Sequence, residues 1–377
     1  MGRRDIGAGP LAGLRVIEAG TYFSAPFAGM MLSDLGASVI KVEPPGKGDP
    51  FRTFARPTRG VSSMFINVNR GKESSVALDL KDAGDRNALI DLVRDADVFI
   101  HNWRPGVAES LGLADAVLAA ANPTLIRVAI SGFGPTGPYA GQPAFDALMQ
   151  AQSGLAVYEE ENGAPRLNRT SLSDKVTSVM AAQSILAAVI ARSATGEGQL
   201  LELGMLDALA YFNYPDMFQE HTFLDDEAPT SVGGTPSLLV PTADGHIVVQ
   251  PMTGAQLKRV CVACDRPEWV DELKGCDPAQ LRTEFHRRLS GALLHKPTAF
   301  WVERFLADDV PVAPAMSLTD HLADAQVVHN ELYEIDEHPE PLGRVRRVRY
   351  PTRFTGTPVA PKTSVPTLGS SDPRTDG

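Results

Sequence analysis

Asp174 stands in the stretch Ser171-Leu-Ser-Asp-Lys175, at the head of a long apolar segment. A carboxylate at a helix start lies where the partial positive charge of the helix end favours its ionised form. Taken by itself, an aspartate there reads as a helix cap, and Ser171 or Ser173 would serve the same purpose. Cys261 and Cys264 form a C-x-x-C pair, and Cys276 is the third cysteine. A zinc site needs a second pair or two histidines at ligand spacing, and none follows, so the pair reads as ordinary thiols and no metal is expected. Gly20 after a first strand and Glu43 at the end of a second invite a dinucleotide reading. Tyr22, however, occupies the position where a second glycine would let a pyrophosphate approach, so that reading is set aside. His101 and His246 match no catalytic arrangement and read as packing or surface histidines. The sequence contains no P-loop, G-x-S-x-G elbow or H-E-x-x-H pattern.

The elements that must position these groups follow from periodicity. Leu14–Glu18 reads as a buried strand, Phe27–Leu35 as a helix and Ser38–Glu43 as a second strand, a βαβ unit. Ser75–Leu80, Asp97–Ile100 and Thr124–Ile130 continue the strand pattern, with helical periodicity over Gly84–Asp95. This alternation predicts an α/β, doubly wound, mostly parallel Rossmann-like sheet, whose ligands sit beyond the carboxyl ends of the strands. Asp174–Arg192 is strongly helical, with Val176, Val179, Met180, Ile185, Leu186, Val189 and Ile190 mostly three or four apart. Near Asp225-Asp-Glu-Ala-Pro229 the character changes. A strand pair, Ser237–Pro241 and His246–Gln250, flanks the turn Asp244-Gly245, and helices follow. Residues 226–325 are therefore read as a small α+β domain, with 1–225 and 326–377 outside it. The proline-rich C-terminal tail reads as extended or disordered.

The net charge of −11 argues against a nucleic-acid surface, yet leaves room for a small anion held by a few local cations. No run of 18 apolar residues occurs, and Met1–Pro10 lacks an apolar signal region, so neither a membrane partner nor a secretory leader is expected. The low, odd cysteine count fits a reducing cytosol, hence a cytoplasmic expectation.

An ordered set of segments resembles the class III CoA-transferases, a family that includes formyl-CoA transferases, carnitine CoA-transferases and α-methylacyl-CoA racemases. The segments are Pro10–Glu18, Ala25–Glu43, Pro45–Pro50, Asn69–Lys72, Leu78–Lys81, Asn102–Gly106, Ser131–Pro135, Pro143–Asp146, Gln152–Leu155, Thr195–Gln199 and Gly233–Gly245. The resemblance implies a large domain built from both chain ends and an interlocked, ring-like homodimer. It implies transfer of CoA from a donor acyl-CoA to a small free carboxylic acid, with acyl-CoA as substrate and no tightly bound cofactor. Asp174 then matches the nucleophile that carries an aspartyl-CoA thioester. Gly233 and Gly234 match a glycine loop over the site, whose backbone would stabilise oxyanions. Phe23, Ser24, Ala25, Leu78, Lys81, Asn102, Trp103, Arg104, Phe145 and Asp146 match the path of CoA, and Arg52, Arg70 and Lys72 lie in loops able to add phosphate contacts.

This chain also departs from the pattern. Pro44, Ser110 and Pro143 replace cations of formyl-CoA transferases, and Phe145 replaces a tyrosine. The phosphate contacts must therefore fall elsewhere, on Arg104 or Lys47, and the acyl pocket is expected to be less polar. Many family members use dicarboxylic acids, which makes succinyl-CoA a donor to test. The racemase alternative needs Gly-His-Asp where this chain has Ala144-Phe145-Asp146, and phenylalanine carries no proton. A CoA-binding protein without catalysis is the remaining alternative. Asp146 itself reads either as an acyl-orienting group or as a cap for the helix over Ala147–Ala151.

Overall fold

A computed structural model describes residues 9–57, 59–160, 163–224 and 239–372. They form two compact units, one from both chain ends (up to Phe218 and from Glu331) and one from Gln219 to Asn330. The middle unit thus takes in residues on either side of 226–325.

Six strands organise the first unit: β1 (Arg15–Glu18), β2 (Ser38–Glu43), β3 (Ser74–Ala77), β4 (Val98–His101), β5 (Ile126–Ser131) and β6 (Leu200–Gly204). They pair in the order β3-β2-β1-β4-β5-β6, every neighbour parallel. Successive residues of a strand face opposite sides. Val16, Val98, Ile100, Val128 and Ile130 accordingly join one core with the helices Ser24–Asp34 and Leu172–Thr195. Ile17, Val42 and Phe99 join another with the helices Ala83–Arg94 and Asp115–Ala121. Burial on both faces of the inner strands β1, β4 and β5 explains their mostly apolar sequence, and the expected doubly wound parallel sheet is present.

The Leu172–Thr195 helix is long and apolar enough to cross a membrane by length and composition. Here Val176, Ala181, Ala182, Ile185 and Ala188 are buried in the first core, and the helix packs on the Ser24–Asp34 helix, β5 and β6. As far as residue 372 the C-terminal segment carries no helix or strand and is anchored. Lys362 Nζ donates to the carbonyls of Gly36 and Ala37 at 3.3 and 2.6 Å, covering the end of the Ser24–Asp34 helix. Further along, Ser364 O accepts from the Gly71 N–H, and Ser370 Oγ from the Ser75 N–H. An antiparallel hairpin, β10 (Tyr333–Glu337) with β11 (Arg344–Val348), precedes this segment.

In the middle unit, β7 (Leu239–Pro241), β8 (His246–Val249) and β9 (Val312–Pro314) form an antiparallel sheet with helices around it. Cys261 and Cys264 are buried there, in a core that includes Trp301 and Phe305. Burial pushes the Cys264 thiol up to about 12, away from thiolate chemistry.

Candidate active site

The strand order reverses between β1 and β4, and at such a switch point the loops leaving the two strands enclose a crevice. Side chains hold the loop after β1 group by group. The Gly20 N–H donates to Glu18 Oε1 (2.7 Å), and the Gly20 carbonyl accepts from Lys41 Nζ (3.0 Å). Asn102, just beyond β4, accepts the Thr21 N–H at 2.9 Å and donates to the Thr21 carbonyl at 2.7 Å and to Ser24 Oγ at 3.2 Å. Asp49 Oδ1 accepts the Tyr22 N–H at 3.0 Å. Gly20 is required by this closeness, since a Cβ there would lie 2.5 Å from the Ala25 Cβ. Tyr22 adopts φ 63°, a left-handed conformation that costs a non-glycine residue about 1 kcal/mol or more. It projects a half-exposed ring edge-on to Phe145, 5.9 Å between centroids.

Beneath this loop lies a wholly buried ion network. Glu18 Oε2 pairs with Lys41 at 3.1 Å and Lys72 at 2.8 Å, and Lys41 pairs with Asp49 at 3.0 Å. Burial opposes every charge here, but the partners outweigh it at Glu18, held below its ordinary range, and at Lys41, held above. At Lys72 burial wins and lowers the ammonium to about 8. Glu43, at the end of β2, faces Arg52 at 2.6 Å and Ser75 at 2.5 Å, and despite its burial these bonds hold it down at about 2. Of the cations considered for phosphate contacts, Arg52 is therefore committed to Glu43 and the Pro366 carbonyl, Arg70 to Asp34 and the Val348 carbonyl, and Lys72 to Glu18 and Asn69. All three serve the interior of the fold and are withdrawn as CoA ligands.

Asp174 occupies the first turn of the Leu172–Thr195 helix. Neither serine caps this helix through its side chain; Ser171 is the N-cap residue without a side-chain bond. Asp146, from the helix Asp146–Gln152, supplies the cap instead. Its Oδ1 accepts the Ser173 N–H at 2.7 Å and lies 3.4 Å from the Asp174 N–H. Two orphan donors of the helix end are so satisfied from a residue far away in sequence. Burial, and then the negative charge of Asp146, push Asp174 up to about 7. One turn on, the Ser178 hydroxyl reaches both the Asp174 carbonyl (2.7 Å) and the Ser24 carbonyl (2.9 Å), tying the aspartate's helix to the first residue of the Ser24–Asp34 helix, just past the switch-point loop.

Phe23 ends the loop after β1, Ser24 and Ala25 open the Ser24–Asp34 helix, and Asn102 donates to Ser24 from beyond β4; Ser178 links Ser24 to the Asp174 helix, and Phe145 precedes Asp146, which caps it. Phe23, Ser24 and Ala25 are buried, whereas Phe145 is exposed. Leu78 is buried in the second core, and Lys81 is exposed two residues after Asp79, whose carboxylate accepts its N–H. Trp103 and Arg104 line a cleft of about 200 Å³ over one face of β4, β5 and β6, which alternate residues such as Arg127, Ala129 and Glu202 line from the sheet, and neither Asp174 nor Asp146 is among its lining residues. His101 is stacked on Trp103 (4.5 Å between centroids), with its Nδ1 accepting the Trp103 N–H, and burial lowers it to about 4. It is a neutral packing partner. Gly233 and Gly234 lie outside the described residues. Sequence reasoning passed over Tyr22 as a wall residue, Ser178, Asp49 and Gln150. For Gln150 a signal existed, since it follows Asp146 by one helical turn.

Fold and site together define an α/β ligand-binding protein with a shielded carboxylate beside its switch point. A family model, CoA-transferase family III, matches residues 11–372, and the chain belongs to that family. It is a CoA-transferase. An acetyl-CoA:oxalate CoA-transferase of Acetobacter aceti is 36% identical over 323 residues, 83% of this chain and 82% of that protein. The succinyl-CoA:glutarate CoA-transferase of Homo sapiens is 30% identical over 371 residues, 96% of this chain and 84% of the other. A crystal structure of a Mycobacterium tuberculosis protein matches with TM-score 0.82 at 27% identity, covering 96% of this chain and 98% of that one. A CAIB/BAIF family protein from Brucella suis matches with TM-score 0.81, also at 27% identity, covering 96% and 97%.

Proposed function

We propose that this protein moves CoA from a donor acyl-CoA to a free carboxylic acid through an aspartyl-CoA thioester on Asp174. The observation that carries the reading is the Asp174 carboxylate itself, shielded at a helix head and raised to about 7. Such a group is ionised in part at neutral pH and is more nucleophilic than an ordinary carboxylate. Attack on the donor thioester gives a mixed anhydride and releases CoA thiolate. The thiolate attacks the aspartyl carbonyl, forming the enzyme thioester and freeing the donor acid. The acceptor carboxylate repeats the two exchanges in reverse and restores Asp174. Each step exchanges one activated acyl bond for another, so no nucleotide is consumed.

In this reading Phe23 and the helix start at Ser24 and Ala25, with Asn102, receive the CoA arm near Asp174, and Trp103 and Arg104 take its more distal part along their cleft. The relatives named for acetyl-CoA with oxalate and succinyl-CoA with glutarate make acetyl- and succinyl-CoA the first donors to test. The interlocked homodimer belongs to the same reading, supported by exposed Tyr211, Phe212 and Tyr214 on the Met205–Met217 helix. Racemisation is disfavoured because Phe145 precedes Asp146 and His101 is half-buried against Trp103 and neutral.

The test is intact-protein mass spectrometry after mixing with a panel of acyl-CoAs, followed by hydroxylamine. The expected product is a hydroxamate mapped to Asp174. Undiminished CoA transfer without any adduct on Asp174 refutes the reading.

The raised carboxylate sets the pH dependence. The ionised form attacks, so single-turnover labelling should climb between pH 6 and 8, around the value of about 7, and level off above it. Asp146→Asn keeps an oxygen for the helix cap but removes the neighbouring negative charge. Its labelling midpoint should move to lower pH, while remaining above that of a free aspartate because burial persists. An unmoved midpoint would show that Asp146 does not act on Asp174 through its charge.

A further inference from the structure

We infer that Gln150 is a positioning residue for the reaction, acting on Asp174 through Asp146. The inference rests on the reading of Asp174 as nucleophile.

Gln150 is 1% exposed and lies one turn after Asp146 on the same helix. Its Nε2 donates to Asp146 Oδ2 at 2.7 Å, and its Oε1 accepts the Asn168 N–H at 2.8 Å. Nε2 is also within 3.3 and 3.4 Å of the Asn168 and Thr170 carbonyls. An amide is the side chain that both donates and accepts in this way; a carboxylate would only accept and an ammonium would only donate. The residue type therefore suits a junction between a carboxylate on one side and a backbone segment on the other.

That junction bears on Asp174 from two directions. The Asp146 carboxylate is bridged, with Oδ2 on Gln150 and Oδ1 on the Ser173 and Asp174 N–H groups, so it cannot rotate away from the helix end without losing a bond. The segment entering the long helix is stiffened as well, because Asn168 Oδ1 accepts both the N–H and the hydroxyl of Thr170. Gln150 closes this arrangement without surface of its own to offer CoA. Its loss should loosen the attack geometry and leave acyl-CoA binding alone.

The experiment compares Gln150→Met, Asp146→Ala and the double variant with wild type. Gln150→Met preserves volume and removes the polar amide. It is expected to lower kcat and the rate of Asp174 labelling about 10- to 100-fold, the scale of a misplacement near 1 Å, with the acyl-CoA KM within about twofold. In the Asp146→Ala background the same change should cost about twofold or less, because the contact it works through is already gone. Gln150→Asn, which keeps the amide but shortens its reach, should show the same kcat and KM split, and it serves if the methionine variant does not fold. The inference is overturned if the two losses multiply, if KM rises in place of kcat falling, or if the single variants label at the wild-type rate. Failure of wild type to label at Asp174 would instead remove the nucleophile reading, and this inference with it.

Discussion

Asp174→Asn is expected to lower CoA-transfer turnover on the order of 10⁴-fold or more, the scale seen when a nucleophile acting within a concerted site is removed. Asparagine is nearly isosteric and its amide oxygen is a poor nucleophile, so neither the anhydride nor the enzyme thioester can form. Titration calorimetry with free CoA should show Kd within about twofold of wild type, since the described bonds that hold Ser24 and Asn102 do not include the Asp174 carboxylate. The variant should also be more stable at neutral and alkaline pH, and the sign follows from linkage. Folding raises the Asp174 carboxyl from 3.8 to about 7, so the folded state holds the proton more tightly than the unfolded chain. That contribution favours folding fully below 3.8 and is lost as pH rises through about 7. Above that, wild type bears the cost of a buried charge, which asparagine lacks. The melting temperature of Asp174→Asn should exceed that of wild type at pH 8, with the gap closing towards pH 4. Turnover above a tenth of wild type would end the covalent proposal, whatever the stability result.

The second large effect belongs to Glu18. This carboxylate is fully buried, faces Lys41 and Lys72, and accepts the Gly20 N–H that begins the switch-point loop. Glu18→Ala would leave Lys72 with Asn69 Oδ1 as its remaining described partner, and Lys41 with Asp49 and the Gly20 carbonyl. Breaking a buried charge network from one side costs about 3–5 kcal/mol, because the uncompensated charges stay desolvated. Urea unfolding monitored by circular dichroism should show a loss of this size. A loss under about 1 kcal/mol would mean that the two lysines find solvent or other acceptors, and that the loop does not depend on this network.

Much of the architecture was legible in the order of residues. Strand periodicity marked β1 to β5 of the parallel sheet because burial leaves short, mostly apolar runs there. The start of the Ser24–Asp34 helix was placed too late, at Phe27, because Ser24, Ala25 and Pro26 carry no apolar rhythm. The cations at 52, 70 and 72 looked free for the same local reason. Their carboxylate partners, Glu43, Asp34 and Glu18, come from neighbouring elements that only the folded chain brings within reach.

The sequence by itself determined the alternating strands and helices, the missing dinucleotide turn at Tyr22, the family likeness and the position of Asp174 at a helix head. Those properties are local, or additive along the chain, so residue order carries them. Tertiary structure alone decided that Asp146 caps the Asp174 helix and that Ser178 ties the Asp174 backbone carbonyl to the start of the Ser24–Asp34 helix. A hydrogen bond depends on distances of a few ångströms and on low local dielectric. Between residues 28 or 154 positions apart, those conditions exist only once the sheet has brought the elements together.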